Sequence, residues 1–407
     1  MTSPAPPATD QLWKRNLYAL TAVVFLSATG FSSVAPLLPL FNQTLGVRDP
    51  NEAVFWAGVA HFAGAAGAFF SGPFWGTLAD RYGRRTMLLR ATVGGVIVLA
   101  LTGLSPSVVF MVFMRFVHGT LTGVNTAASA LAASQAPRER TAMALGSVQT
   151  AFFLGNMTGP VIGGVLADRF GYHVPFFVMS GVLFIDFLVA AFFVRERFVV
   201  STHKGRGLNP LKDIQAVLQT QALLPLLVLL FASRFGGFSL SPVMAVFMQE
   251  MVFDRAATMA GVALGLVALA SALSAAVIGR VVHPNQLLLV FVVASIAASG
   301  LFLPQFWLQS VVISAALFGL FGLCQGAMLT CTSSLVSNTA PRERQGAVFG
   351  VVQSATAFSY GTAGLTAGTL SVAFGVRATF VADAILFLLI AVGAGWLLKK
   401  RQGEPVV

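Results

Sequence analysis

Six ionisable side chains stand inside stretches that are otherwise apolar: His61, Arg115, His118, Asp186, Arg234 and Asp383. In hydrocarbon such groups are expensive, and they mark ion or substrate paths, proton relays or buried pairs. A carboxyl in that setting can take up and release a proton, and an imidazole ordinarily titrates near neutral pH. A guanidinium keeps its charge and can fork onto an anion. What is missing narrows the chemistry further. No phosphate-cradling glycine loop, zinc-ligand spacing or nucleophile–base pair is present, so neither an enzyme nor a bound metal or cofactor is expected. No soluble segment is large enough to hold an ATPase, so energy must come from a gradient or a partner.

The surrounding composition explains why these groups are few. Only 10% of the 407 residues are Asp, Glu, Lys or Arg, and 56% are hydrophobic. Soluble domains carry about a quarter charged residues. With a mean hydropathy of +0.82 the chain reads as an integral membrane protein. A crossing helix needs about 20 apolar residues. Cutting at polar punctuation gives twelve spans: 17–41, 53–79, 86–104, 107–133, 142–167, 174–194, 221–248, 257–280, 285–303, 307–335, 345–372 and 377–398. Spans eight and nine are the least clearly separated. The run after Lys14 and Arg15 is too long for a signal peptide. The Pro-rich start, MTSPAPPATDQ, reads as a disordered tail.

The net charge of +11 does not point to nucleic acid, because the basic residues sit in short clusters between apolar runs. With the N-terminus inside, 19 Lys and Arg fall in inner segments, 4 in outer segments and 2 within spans. Basic loops stay cytoplasmic, so both termini are expected there. Cys324 and Cys331 share one apolar run; seven helical residues part them by about 10 Å, too far for a disulfide.

The chain repeats itself at half its length. APRER occurs at 136–140 and 340–344, and Gly146, Gln149, Gly164 and Phe170-Gly171 recur as Gly350, Gln353, Gly368 and Phe374-Gly375. GFSSVAPLLPLFNQ (30–43) returns as GFSLSPVMAVFMQ (237–249) with a one-residue slip. Two six-span halves, 17–197 and 221–398, are therefore expected, joined by a cytoplasmic linker at 198–220. Short cytoplasmic tails, 1–16 and 399–407, flank them. Parallel repeats of this kind place a substrate site near the midplane between the halves.

Three strings carry more than packing. GTLADRYGRR (76–85) links spans two and three. Gly76 and Gly83 allow a tight turn, Asp80 can face a helix N-terminus, and Arg81, Arg84 and Arg85 set topology or fork onto carboxylates. Glu139 and Glu343, in the two APRER loops, are candidate partners. In span five, GNMTGPVIGG (155–164) puts Gly155, Gly159 and Gly163 on one flat stripe, with Pro160 as a bend and Gly164 beside it. Small residues at that spacing let two membrane helices touch, so plain packing is one reading. Span four carries RFVHGTLTG, with Arg115 and His118.

These strings resemble signatures of the major facilitator superfamily, and the whole chain looks most like its twelve-span drug:proton antiporters. The resemblance implies an all-α membrane fold of two pseudo-symmetric six-helix bundles. It implies that loop 76–85 latches the cytoplasmic side, Asp80 meeting the start of span eleven. It makes Arg115 a cavity residue linked to proton transfer, with His118 where the family usually has Gln. It makes Gly155, Gly159, Pro160, Gly163 and Gly164 an antiporter motif. The second half keeps Gly279 and Arg280 but has Pro284 in place of the aspartate, so the latch is expected to be one-sided.

Span one holds no acid, unlike many such antiporters. Asp186 and Asp383 are the proton-carrier candidates, with structural pairing as the alternative; Glu250, His61 and His118 are weaker ones, and His61 also reads as a packing residue. Arg234 can hold an anionic substrate group or lock against an acid. Phe31, Phe235, Phe238, Met244 and Met328 can line a soft apolar cavity, with Ser32, Asn125, Gln149, Gln325, Gln353 and Tyr360 as polar candidates. The expected function is export of a small, lipophilic substrate in exchange for protons by a monomer in the inner membrane. The alternative is a uniporter or symporter for a metabolite.

Overall fold

The computed structural model describes residues 7–196, 223–339 and 345–403; the linker at 198–220 and the second APRER loop lie outside them. Regular structure among the described residues is helical, in twelve spans. In the first half, span one is Pro7–Val34, a 3-10 turn Ala35–Leu37 and Leu38–Thr44; span two is Pro50–Tyr82; span three is Arg84–Gly103. Span four is Val108–Leu121 with Val124–Gln135, span five Thr141–Phe170 and span six Val174–Phe193. In the second half, span seven is Leu223–Phe238 with Leu240–Met251, span eight Ala256–Val281 and span nine Leu287–Phe302. Spans ten to twelve are Val311–Thr339, Gln345–Phe374 and Ala378–Gly403.

The helix of span one begins at Pro7, inside the stretch expected to be a disordered tail. Proline suits a first helical turn, where its missing N–H has no partner to lose. Eleven described helices are long and apolar enough to cross a membrane. Span eleven is the twelfth; its glycines, serines and threonines make it less apolar, and Gly361, Gly364 and Gly368 pack against span two.

Spans one, four and seven are broken, each for a local reason. Pro36 and Pro39 tighten span one into a 3-10 turn. Span seven breaks at Ser239, before Pro242. Span four breaks at Gly123, whose φ of 129° is a conformation that side chains rarely adopt. A break frees backbone carbonyls, and in hydrocarbon these need partners. The Trp75 indole N–H donates to Thr120 O at 2.6 Å and Arg90 Nη2 donates to Thr122 O at 3.0 Å. The Arg90 guanidinium stacks 3.6 Å from the Trp75 ring, fixing both donors.

Because consecutive spans run antiparallel, the start of span one, the end of span twelve and the 82–84 turn share one face, here the near face. The turns at 45–49, 171–173, 252–255 and 375–377 share the far face. Each half has its own apolar core. At the far face the cores merge: Leu37, Leu40, Val54 and Ala167 of the first half belong to the buried cluster of the second.

Candidate functional site

The halves join near the far face through spans two and eleven, spans five and eight, and spans one and seven, where the Gln43 and Gln249 side-chain amides exchange hydrogen bonds at 2.9 and 3.1 Å. Span two meets span eleven where Gly58 packs against the Gly364 carbonyl and Gly361 against Ala65. Span five meets span eight where Gly164 packs against the Ala257 carbonyl and Gly261 against that of Pro160. A methyl group at any of these glycines would strike the other helix, so the close approach depends on their absent side chains.

The span-five string is thereby split between two partners. Gly155, Gly159 and Gly163 take up span one of their own half, against Ala28, Ser32 and Ser33. Gly164 and Pro160 take up span eight of the other half. The Ser32 hydroxyl donates to Gly155 O at 3.1 Å, tying span one to span five.

Within the span two–span eleven contact, between Gly58 and Ala65, the halves share a polar cluster. Arg115 is buried on span four, with the Tyr360 hydroxyl of span eleven within hydrogen-bonding reach of its guanidinium. The Tyr360 ring lies 4.9 Å from that of His61 and 5.2 Å, edge-on, from that of Phe238. Phe31 lies 4.3 Å from His118. Both ring nitrogens of His61 and Nε2 of His118 are buried without a hydrogen-bond partner. Six of the expected site residues thus converge: Phe31, His61, Arg115 and His118 from one half, Phe238 and Tyr360 from the other.

The two span carboxyls stand away from that cluster. The Ser27 hydroxyl donates to Asp186 at 2.5 Å and the Ser239 hydroxyl donates to Asp383 at 2.6 Å. Each bond ties the last span of its half to the first. The other Asp186 oxygen is buried without a partner. Among the described residues the charge of Arg115 is therefore met by a phenol rather than by these acids.

Arg234 is partly buried, five residues before the span-seven break, with Nε unpartnered. Gln325 packs against Gly237 beside that break and accepts a long bond from the Ser271 hydroxyl, 3.4 Å. Phe235 stacks loosely on Phe231, 6.1 Å apart. Asn125 follows the span-four break with Oδ1 buried and unpartnered. Gln149 is partly buried and Gln353 exposed, both on near-face portions of spans five and eleven.

Two expectations need correction. Met244 and Met328 do not line a cavity: both are buried in the second half's core, and Met328 Sδ accepts the Ser295 hydroxyl at 3.3 Å. An unbranched thioether fills core gaps as readily as it lines pockets. Glu250, a weaker proton-coupling candidate, stands partly exposed on the far face and pairs with Arg377 at 2.7 Å, outside the apolar span interior.

At the near face, Gly83 ends span two with a φ of 89°. Glu196 accepts from the backbone N–H groups of Arg84 and Arg85 at 3.2 and 2.8 Å, capping span three. Arg84 donates to Ala130 O, and Arg85 to Val194 O and Ala191 O, each at 2.7 Å. Arg81 lies over the Tyr82 ring. In this conformation the loop is thus held by its own half, and Glu139 stands exposed nearby. Gly76, the Asp80 side chain and Glu343 lie outside the described residues.

Sequence reasoning missed Arg90, counted only as a topology charge, and passed over Asp168. The Asp168 carboxylate accepts from the backbone N–H groups of Ala257 and Thr258, at 3.3 and 2.7 Å, across the boundary between halves. Burial and that carboxylate together hold the Tyr172 phenol above its ordinary value. A signal existed: residues 166–171 nearly duplicate residues 78–83.

The Major Facilitator Superfamily model matches residues 20–359 and 308–407. Multidrug resistance protein MdtG of Rahnella sp. (strain Y9602) is 30% identical over 415 residues, covering 100% of both chains. Its namesake from Dickeya zeae (strain Ech586) is 31% identical over 401 residues, 97% of each chain. Among solved structures, a bacterial homolog of the human lysosomal transporter Spinster, inward-facing and unoccupied, matches with a TM-score of 0.77 at 15% identity, over 99% of this chain and 100% of that one. The human organic anion transporter MFSD10 (TETRAN) matches with a TM-score of 0.67 at 20% identity, over 96% and 100%.

Proposed function

The chain belongs to the major facilitator superfamily, and from that premise we propose that it exports small lipophilic molecules, drugs among them, in exchange for protons. It is a multi-pass membrane transporter, not an enzyme. The lysine and arginine asymmetry supports cytoplasmic termini, which makes the near face cytoplasmic and this conformation inward-open. Export then follows from alternating access: substrate enters from the near side, and the halves rock about the Arg115–Tyr360 cluster. The bacterial relatives named for multidrug resistance support this substrate class, and an inner-membrane location goes with it.

The span-five glycine string carries the reading. It binds span one firmly within its half and span eight across the boundary, so one helix both belongs to a rigid body and closes against the other. Asp186 and Asp383 remain the proton-carrier candidates. The test is transport by the purified protein in liposomes across a panel of lipophilic drugs, with an imposed pH gradient. Gradient-driven export is expected, weakened in Asp186→Asn or Asp383→Asn. Export that ignores the gradient sinks the antiport reading; normal transport by both variants sinks the carrier assignment.

A second reading has one observation behind it. The Arg115 cluster is positive and faces no acid among its described neighbours, which favours an anionic solute carried by uniport or symport. Uptake of organic anions in the same liposomes, lost in Arg115→Gln, would favour it.

A further inference from the structure

The strings that end spans two and five are near copies. LADRYG (78–83) and LADRFG (166–171) differ at one aromatic ring, and each follows a Gly-Pro-x-x-Gly string, at 72–76 and 159–163, with one residue of slip. Their closing glycines share a backbone conformation: φ 89°, ψ 156° at Gly83 and φ 93°, ψ 158° at Gly171. Each donates its N–H to the carbonyl four residues back, at 3.0 and 2.9 Å. Because spans two and five run in opposite directions, the copies sit on opposite faces, the relation expected of an inverted three-helix repeat.

Span eight shows what the far-face copy does. Its N-cap residue is Arg255, which makes no side-chain cap bond. Ala257 and Thr258 occupy the second and third helical positions, the N–H groups that a capping side chain normally takes. Asp168 takes both, from the other half. A carboxylate there also faces the positive end of the helix dipole. We propose that Asp168 is a gate residue of the transport cycle: it caps span eight in trans, holds the far face shut, and is withdrawn when that face opens. Asp80 serves the near face in the opposite state, so the first half carries both gate carboxylates. The repeat-related positions of the second half are Pro284 and Val372, which cannot serve.

The proposal rests on alternating access, and its test reads conformation separately from transport. In the full chain with Cys324→Ser and Cys331→Ser, spin labels go on Phe170→Cys and Phe253→Cys across the far face, or on Met143→Cys and Val281→Cys across the near face. Pulsed electron–electron distances in lipid nanodiscs give the two populations. Asp168→Asn is expected to lower the closed-to-open ratio of the far face by about tenfold or more, the loss of a charged acceptor with two donors. Asp168→Glu is expected to restore part of it, and Asp80→Asn to shift the ratio the other way. If Asp168→Asn folds poorly, Arg255→Asn gives span eight its own cap and rescues yield without restoring the ratio. Unchanged distances in Asp168→Asn, or a shift in the same direction as Asp80→Asn, overturn the gate. Opposite shifts with no driven transport leave the gate standing and sink the transport reading instead.

Discussion

Spans two and eight are counterparts in the two halves, and both begin at the far face, yet they are capped differently. Span two caps itself: Asp49 accepts from Asn51 N at 2.9 Å, and Pro50 follows in the first helical position. Span eight has Arg255 at that place and borrows Asp168 from the other half. A cap within a half contributes the same stability in every conformation. A cap shared between halves contributes only while they touch, so it becomes part of an equilibrium between states. The difference teaches where to look for moving parts: at bonds that a helix would ordinarily make for itself.

The strongest way to break this comparison is steric. Gly164→Leu puts bulk against the Ala257 carbonyl, beside the shared cap. Overpacking costs about 1–3 kcal/mol, so far-face closure and transport should fall by about tenfold or more. Gly146→Ala, where a methyl group meets open space, should leave both unchanged. Equal effects of the two would remove the boundary's special status.

Next come the buried acids, whose bonds lie within halves, against the Asp168 cap that lies between them. Asp186→Ala strands the Ser27 hydroxyl and should cost about 1–3 kcal/mol in thermal stability; Asp383→Ala should cost less, because the Ser239 hydroxyl can turn to Gly236 O at 2.8 Å. Neither should move the far-face distance. A conformational shift in either variant would show that the rigid bodies are not rigid.

The self-supplied cap is the direct control. Asp49→Ala should cost about 1 kcal/mol, seen as a lowered melting midpoint in detergent, with face distances unchanged. Smallest of all is Glu250→Gln. Its pair with Arg377 is partly exposed on the far face, and such pairs are worth about 0–1 kcal/mol. Drug-export rate should not change; a drop would place Glu250 in the coupling path.

The parts of this molecule legible in its sequence are those written locally. Hydrocarbon demands long apolar helices with internally bonded backbones, so the spans can be counted from composition alone. Pro36 and Pro39 mark the span-one break because a missing N–H is a property of single residues, whereas Gly123 is one glycine among 40 and its break showed only in the fold. The half-length repeat made the two-bundle fold readable. Arg90 was not legible: it sits among topology arginines, and only the fold puts it over Trp75, beneath the carbonyls of a broken helix. Met244 and Met328 look like cavity residues in a list, but burial depends on which face of a helix meets a neighbour.

Gly155, Gly159 and Gly163 announce a flat stripe, and the sequence alone determines that some helix must lie against it. That the helix is span one, and that Gly164 turns one step further to reach span eight, was decided by tertiary structure. The same holds for Asp168. Its letters match those around Asp80, which fixes what the carboxylate can do: accept N–H bonds at the positive end of a helix. Which helix lacks a cap of its own, and stands within 3.3 Å, depends on how the two halves pack against each other. Hydropathy, turn chemistry and repeats act along the chain; contacts between the halves join residues about 90 to 300 positions apart and exist only once both bundles are packed.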